Sequence, residues 1–332
     1  MNHIGLVFAC FLLGMASPAV DQPISAPIGG GAQREAALPA DSEGPWTAVV
    51  FGVKGKHSDD YDKPAAPRAD RELISQILVT ADWQEGYVRL ASVRTDMMAA
   101  DGSSGYSTLG EIYRDSGPEG CMEALSRNLD VEAEDYFVVP WKAAADAVNI
   151  LGGIDIEVKE DERGEFNARL TEVVEATGIG TFVPKKAGLL HMDGVQAVAY
   201  MNLDSAYMES TPEEMAARRH LVSEQVLKQA ASASLSDVKN LIEIVGPQID
   251  TSLATQDYVT IFGGCRMVKS VEAACIPQTY KQGKGEQAGG IYPDTLEDSA
   301  ACLNGFLYNN ENYECPVSVQ EISRDLENAD IS

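Results

Sequence analysis

Leu151-Gly-Gly-Ile-Asp-Ile-Glu-Val158 is the segment that most restricts how this 332-residue chain can fold. Gly152-Gly153 supplies the positive φ that a helix C-terminus needs, and a β-branched run follows at once. The spacing therefore predicts a helix over Lys142–Leu151 that closes directly into a buried strand. Further on, Leu190-His-Met-Asp-Gly-Val-Gln-Ala-Val-Ala-Tyr200 predicts a tight Asp193-Gly194 turn running into a short apolar helix. Upstream, Asp135–Val139 reads as a strand. With the helix whose Ala145, Val148 and Leu151 share a stripe, and with Ile154–Val158, it makes strand–helix–strand, the signature of a layered α/β sheet.

The same reading extends along the chain. Trp46–Val53 is a continuous apolar run, expected as a strand covered on both faces. Leu73–Ala81 and Tyr87–Val93 are two strands, joined through Asp82-Trp-Gln-Glu-Gly86 as a hairpin. A helix is expected after Gly117-Pro118, with Ala124 and Leu125 facing inward. Residues 159–187 read as acidic loop, and helices as Gly194–Tyr200, Pro212–Ala231 and Asp237–Val245. The tail from Gly263 is turn-rich and ends in a helix near Tyr308. The expectation is a single three-layer α/β/α domain with a central mixed sheet over residues 46–310. An N-terminal signal or membrane anchor (1–20) and a Gly/Pro/Ala-rich linker (21–45) precede it, and an acidic tail (311–332) follows.

Charge and cysteines narrow the function classes. With 25 basic and 51 acidic residues, a formal charge of -26 repels nucleic acid, so no nucleic-acid partner is expected. Ile4–Val20 is an uncharged apolar run, at the short end for a membrane helix, and small residues at Ala16–Ala19 suit a cleavage site. Cleaved peptide and retained anchor both stand; either exports the body. Cys265, Cys275, Cys302 and Cys315 show no Cys-x-x-Cys spacing and no histidine among them, which argues against zinc. Of three connectivities, the local pairs Cys265–Cys275 and Cys302–Cys315 are simplest, with Cys121 an unpaired buried hydrophobe.

The two motifs, Leu151–Val158 followed by Leu190–Tyr200, resemble in this order the LytR-CpsA-Psr family of bacterial cell-envelope proteins. The resemblance implies a phosphotransferase that binds a polyprenyl-phosphate-linked glycopolymer and passes the sugar-phosphate to a peptidoglycan hydroxyl, usually with a divalent ion, here Mg2+. It also implies a body outside the membrane, held by a single N-terminal segment. Such a site needs an apolar pocket, carboxylates for a hard cation, and several arginines for phosphate oxygens.

Position by position, the resemblance assigns the residues as follows. In Ser92-Val-Arg-Thr-Asp96, Asp96 falls on the family's aspartate and is the candidate catalytic residue and metal ligand. The family's arginine falls on Thr95, leaving Arg94, one place early, as a phosphate-binding candidate. Either a twist at the strand end recovers Arg94 for the pocket, or it pairs with an acidic neighbour. Asp70, in Arg68-Ala-Asp70, is the second metal candidate, against the alternative of a solvated loop aspartate. Lys54 stands where another family carboxylate would be, and Thr108 and Gly110 replace a lysine and an asparagine. After Tyr200, two family arginines become Asn202 and Asp204. In the following helix Met215 replaces an arginine, Arg218 keeps one (catalytic and phosphate-binding), and Arg219 replaces a glutamine (phosphate-binding).

On a helical wheel Arg218 and Arg219 flank the stripe Met215, Val222, Val226. They either project into a cleft or lay their stems on the core with charges in water. The expected pocket lies between Asp96 and Arg218. With so few family arginines, transfer is expected to be weakened or lost. The alternatives are a non-catalytic lipid- or glycopolymer-binding scaffold and a solute-binding or adhesive surface domain.

Overall fold

A computed structural model describes residues 44–54, 72–203 except Ser104, 218–253 except 219–220, 223–224, 227 and 231, then 270–283 and 289–329. The first strand, β1 (Trp46–Lys54), is buried along its length. Ala48 and Val50 enter one core, while Val49, Phe51 and Val53 enter the other. A strand with two buried faces reads as an unbroken apolar run, as this one does. Next come β2 (Glu72–Asp82) and β3 (Tyr87–Val93), an antiparallel hairpin whose turn closes by a 2.8 Å bond from Gly86 N–H to the Asp82 carbonyl.

A short ribbon, β4 (Met98–Ala100) and β5 (Tyr106–Thr108), leads into α1 (Leu109–Leu129). The Thr108 hydroxyl accepts from Glu111 N–H and the Glu111 carboxylate reaches back to Thr108 N–H, a capping box. The helix bends at Gly117-Pro118, because proline cannot donate into the preceding turn, so the helix expected after Pro118 is the second half of α1. Then follow β6 (Asp135–Pro140), α2 (Trp141–Ile150), β7 (Ile154–Val158), α3 (Arg163–Thr177), β8 (Gly188–Met192) and α4 (Gly194–Met201). The described residues between 218 and 232 are helical, and α5 (Leu235–Asn240) passes into a π-helical turn, Leu241–Val245. The chain finishes with β9 (Asp250–Thr251), β10 (Ser270–Ile276), β11 (Tyr280–Gln282), β12 (Ile291–Pro293), α6 (Leu296–Tyr308) and α7 (Val317–Ala329).

The central sheet has the order β10-β3-β2-β1-β6-β9. β1 runs parallel to β6 and β3 to β10, and the remaining neighbours are antiparallel, so the sheet is mixed as expected. α2, α3 and α4 pack on one face, and α1, α6 and α7 on the other, which gives the three layers.

Several local expectations change. β7 does not join the central sheet; it pairs antiparallel with β8 as a separate ribbon. Its Ile154, Ile156 and Val158 point inward and Asp155 and Glu157 outward, the alternation of a strand buried on one face. Residues 159–187 hold α3, whose Phe166, Leu170 and Val173 form a buried stripe behind exposed acids. The turn-rich tail contributes β10 to the sheet edge beside β3. The stretch after residue 310, expected as a tail, contains α7, which buries Val319 and Leu326 against the core.

The Cys302–Cys315 bridge is not made, and both are free thiols. Cys302 packs its sulfur side on the apolar layer from α6, while Cys315 is fixed in the approach to α7, where its carbonyl accepts from Gln320 Nε2 at 2.8 Å. Burial pushes both thiols up, away from the reactive thiolate. Cys121 is a buried thiol that donates to Gln76 Oε1 at 3.2 Å, and burial pushes it up to about 12. Residues 1–43, Asp70, Arg219 and the Cys265 partner of the expected Cys265–Cys275 pair lie outside the described residues. Among the described residues no helix is long and apolar enough to cross a membrane.

Candidate functional site

The two sequence motifs meet in space. β7 and β8 pair so that Ile154 faces Met192 and Asp155 faces His191. Gly153 has φ +84°, and a Cβ there would stand 2.7 Å from the Met192 carbonyl oxygen. Gly194 opens α4 against α2 so closely that a Cβ would lie 1.9 Å from the Ala145 carbonyl oxygen. Asp193 caps α4 by accepting from Gln196 N–H at 2.9 Å, and Gln196 Oε1 accepts from Asp193 N–H at 3.1 Å. Asp193, Gly194 and Gln196 are thus a capping box with a close helix crossing, and their role is to build the layer.

His191, in the same ribbon, lies 2.8 Å by Nδ1 from Asp155 Oδ1 and 3.0 Å by Nε2 from the Gly152 carbonyl. Both neighbours are acceptors, so the doubly protonated ring satisfies both, and the Asp155 carboxylate raises the imidazole above its ordinary value. A shallow cleft of about 450 Å³ lies here, lined by Asn149, Gly153, Phe182, His191 and Gln196 among others. Its polar groups are largely engaged in joining the motifs, since Asn149 Oδ1 accepts from Gly194 N–H and Gln196 Nε2 donates to the Phe182 carbonyl.

The chemistry expected of the chain collects elsewhere. β1, β3, β6 and β10 all run in one direction, so their carboxyl ends share one side of the sheet. Open α/β sheets bind ligands outside those ends. Here stand Lys54, Arg94 with Asp96, and Trp141. The turn after β3 is tied by Arg94 N–H to the Ile276 carbonyl and Met97 N–H to the Arg94 carbonyl. It folds the Arg94 guanidinium back onto Asp96, with Nε to Oδ1 at 2.9 Å and Nη2 to Oδ2 at 2.6 Å. Nη1 donates to the Tyr280 hydroxyl at 3.1 Å, and the guanidinium lies 4.7 Å from that ring's centre. Of the two sequence readings of Arg94, the ion pair with an acidic neighbour is the arrangement present. Partial burial opposes the charged guanidinium, but Asp96 outweighs it and holds Arg94 above its ordinary value.

Arg218 is in a different place. It is 6% exposed, so its charge is neither in water nor at a cleft mouth. Nε donates to Glu162 Oε1 at 2.9 Å and Nη1 to the Leu203 carbonyl at 2.9 Å. Glu162, itself 3% exposed, also accepts from Lys159 N–H at 3.0 Å and lies 3.5 Å from the Tyr200 hydroxyl. Burial first, then the Glu162 charge, pushes that phenol up to about 12. The pair joins the 218–232 segment to the start of α3 and the end of α4. Tyr200 and Leu203 belong to the core on one face of the sheet, whereas Tyr280, beside Arg94, packs against the core on the other. Arg94 and Asp96 are brought together; Arg218 is held apart from them by its own partners. Asn202, where the resemblance implies an arginine, is buried and donates to the Val198 carbonyl at 2.8 Å.

Mg2+ takes near-octahedral oxygen ligands, usually carboxylates with water and phosphate. Both Asp96 oxygens face the Arg94 guanidinium, and Lys54 puts a cation at the neighbouring strand end. Among the described residues no three histidine, cysteine or acidic side chains converge. The described residues therefore do not fit a divalent ion. Lys54, weighed in the sequence only as a lost carboxylate, pairs with Glu172 and lies 3.9 Å from Glu72.

A family model described as LytR_cpsA_psr matches residues 22–301. The teichoic acid transferase TagV of Bacillus subtilis (strain 168) is 20% identical over 213 residues, 63% of this chain and 50% of TagV. TagT of the same organism is 21% identical over 228 residues, 69% of this chain and 66% of TagT. Both are named polyisoprenyl-teichoic acid–peptidoglycan teichoic acid transferases, and the match spans half to two thirds of their length. The solved structure of gbs0355 from Streptococcus agalactiae has a TM-score of 0.62 at 16% identity, covering 88% of this chain and 92% of that one. TagT with bound octaprenyl pyrophosphate lipid has a TM-score of 0.50 at 18% identity, covering 94% and 98%.

Proposed function

The chain belongs to the LytR-CpsA-Psr family, and on that premise we propose that it binds a polyprenyl-phosphate-linked glycopolymer at the carboxyl end of its central sheet and passes it to a peptidoglycan hydroxyl. The observation that carries the reading is the Arg94–Asp96 pair at that end, half-exposed and within reach of a ligand. In the transfer, the hydroxyl oxygen bonds to the phosphorus bearing the glycopolymer. The bond from that phosphorus to the polyprenyl phosphate breaks, and polyprenyl phosphate leaves with the electron pair. A phosphate entering the site takes the Arg94 guanidinium, which releases Asp96 to accept the hydroxyl proton. No step is routed through a metal. The N-terminal segment, residues 1–20, holds the body at the outer face of the membrane, where both substrates are found.

The test is incubation of the full chain with a polyprenyl-pyrophosphate-linked glycan and a peptidoglycan fragment, with mass spectrometry of the product. Product that disappears in Arg94→Ala and Asp96→Asn supports transfer at this site. A second reading, a binding module without transfer, is favoured by Arg218 and Asn202 being engaged inside the fold. Wild-type protein that co-purifies with polyprenyl phosphate and yields no product selects that reading.

A further inference from the structure

With 51 acids in 332 residues, an acid stands about every six or seven positions, yet residues 176–192 hold none. The one longer acid-free stretch is residues 1–20. Within 176–192 lie the only adjacent lysines of the sequence, Lys185 and Lys186, with Phe182 and Val183 just ahead of them. This is the connection from α3 to β8, together with most of β8.

The segment turns large apolar side chains outward. Phe182 is 88%, Leu189 74% and Val183 58% exposed. Leu189 and His191 share the outer face of β8, and His191 and Phe182 line the same cleft, so these residues form one patch. Their exposure is held in place. Ile179 and Leu190, towards the two ends, pack against the core. Between them Thr181 Oγ1 donates to Asp193 Oδ2 at 2.5 Å, Gln196 Nε2 to the Phe182 carbonyl at 2.7 Å, and Asn167 Nδ2 to the Pro184 carbonyl at 3.3 Å. Side chains of α3 and α4 thus fix the backbone on both sides of Val183 and leave the apolar tip in water. An apolar patch rimmed by polar groups marks a contact surface.

The rim says which surface. Lys185 and Lys186 are exposed, and among the described residues neither takes part in an ion pair. Asp155, opposite His191, is paired with it, which leaves Glu157, opposite Leu189, as the acid on the outer face of the ribbon. Aromatic and aliphatic side chains beside lysines, whose stems lie along the apolar boundary while their charges stay wet, suit a lipid interface. The chain's formal charge of -26 opposes an anionic surface weakly, because salt screens charges beyond about 8 Å and the nearest cations decide.

We propose that the segment 179–191 docks on an anionic lipid surface, with Phe182, Val183 and Leu189 entering the boundary between headgroups and acyl chains and Lys185 and Lys186 meeting the lipid phosphates. The docking goes beyond the transfer reading and does not depend on Arg94 or Asp96. It gives the body a second contact besides the N-terminal segment. One tether leaves the body free to turn, whereas two fix the face it presents to the lipid.

The test uses the full chain carrying F182W, with vesicles of phosphatidylcholine and phosphatidylglycerol whose acyl chains are brominated. Wild-type protein supplies the background of Trp46, Trp83 and Trp141. The added emission should be quenched by the brominated chains and shielded from acrylamide in the water. Adding K185E and K186E should shift the docked-to-free ratio by about tenfold or more, with the unfolding midpoint unchanged because both side chains are exposed. Emission that stays open to acrylamide and untouched by bromine overturns the proposal. Equal quenching in vesicles of phosphatidylcholine alone also overturns it. Shielding that grows with protein concentration in the absence of vesicles assigns the patch to a second copy and does the same. Quenching as expected in a protein that transfers no glycopolymer supports docking and sinks transfer alone, and transfer without quenching does the reverse.

Discussion

Arg218–Glu162 and Arg94–Asp96 are the same chemical pair in two settings. The first has side chains 7% and 4% exposed; the second, 20% and 36%. Inside the helical layer, removing one partner leaves an isolated charge out of water, and the cost is several kcal/mol. At the sheet end water competes for the same groups, so the pair contributes little stability and exchanges readily. The layer that carries the family's motifs is therefore built to stay fixed, and the pair at the strand end is open to exchange.

The sharpest test of that contrast is Arg218→Ala, which should destabilise the fold by about 3–5 kcal/mol in denaturant titrations. Arg218→Met combined with Glu162→Met should recover much of the loss; if Arg218→Ala alone is neutral, the two settings do not differ as described. Gly194→Ala comes next. A methyl group aimed at the Ala145 carbonyl has to separate α4 from α2, at about 1–3 kcal/mol by thermal or chemical unfolding. Asp193→Ala removes the acceptor for Gln196 N–H and should cost about 1 kcal/mol in the same measurement.

Arg94→Ala should shift stability by no more than about 1 kcal/mol, while ligand binding or transfer falls. A larger stability loss than in Arg218→Ala would reverse the comparison. The smallest effect concerns His191, whose value is raised by Asp155 and by the Gly152 carbonyl. Its contribution is fully present below the unfolded value of about 6.5 and is lost as pH rises through the raised folded value. Being exposed, it should give only a shallow slope in unfolding midpoint against pH, and Asp155→Asn should flatten it.

Where a local pattern decided structure, the sequence was readable. The run Trp46–Val53 had to be covered on both faces, and the hairpin of β2 and β3 had its turn residues in place. Gly152-Gly153 announced the end of α2 within a residue. α3 and α7 were hidden because polar and charged residues interrupt their apolar positions, so that no continuous run marks them. β7 was assigned to the wrong sheet because periodicity reports which faces are buried and does not report the partner strand.

The candidate site divides the same way. Sequence alone established Asp96 and Arg94 as neighbours on a strand end, and Arg218 as a cation beside an apolar stripe. The family resemblance implied, with Asn202 where it would place an arginine, that not all of the family's phosphate contacts are present. Only tertiary structure decided that Arg94 closes on Asp96, that Arg218 meets Glu162, and that Lys54 meets Glu172 and Trp141. Glu162 is 56 residues from Arg218 and Glu172 is 118 from Lys54. Burial and hydrogen-bond partners at such separations come from how layers stack on the sheet. A charge's function depends on what surrounds it, and the chain brings those surroundings together only when it folds.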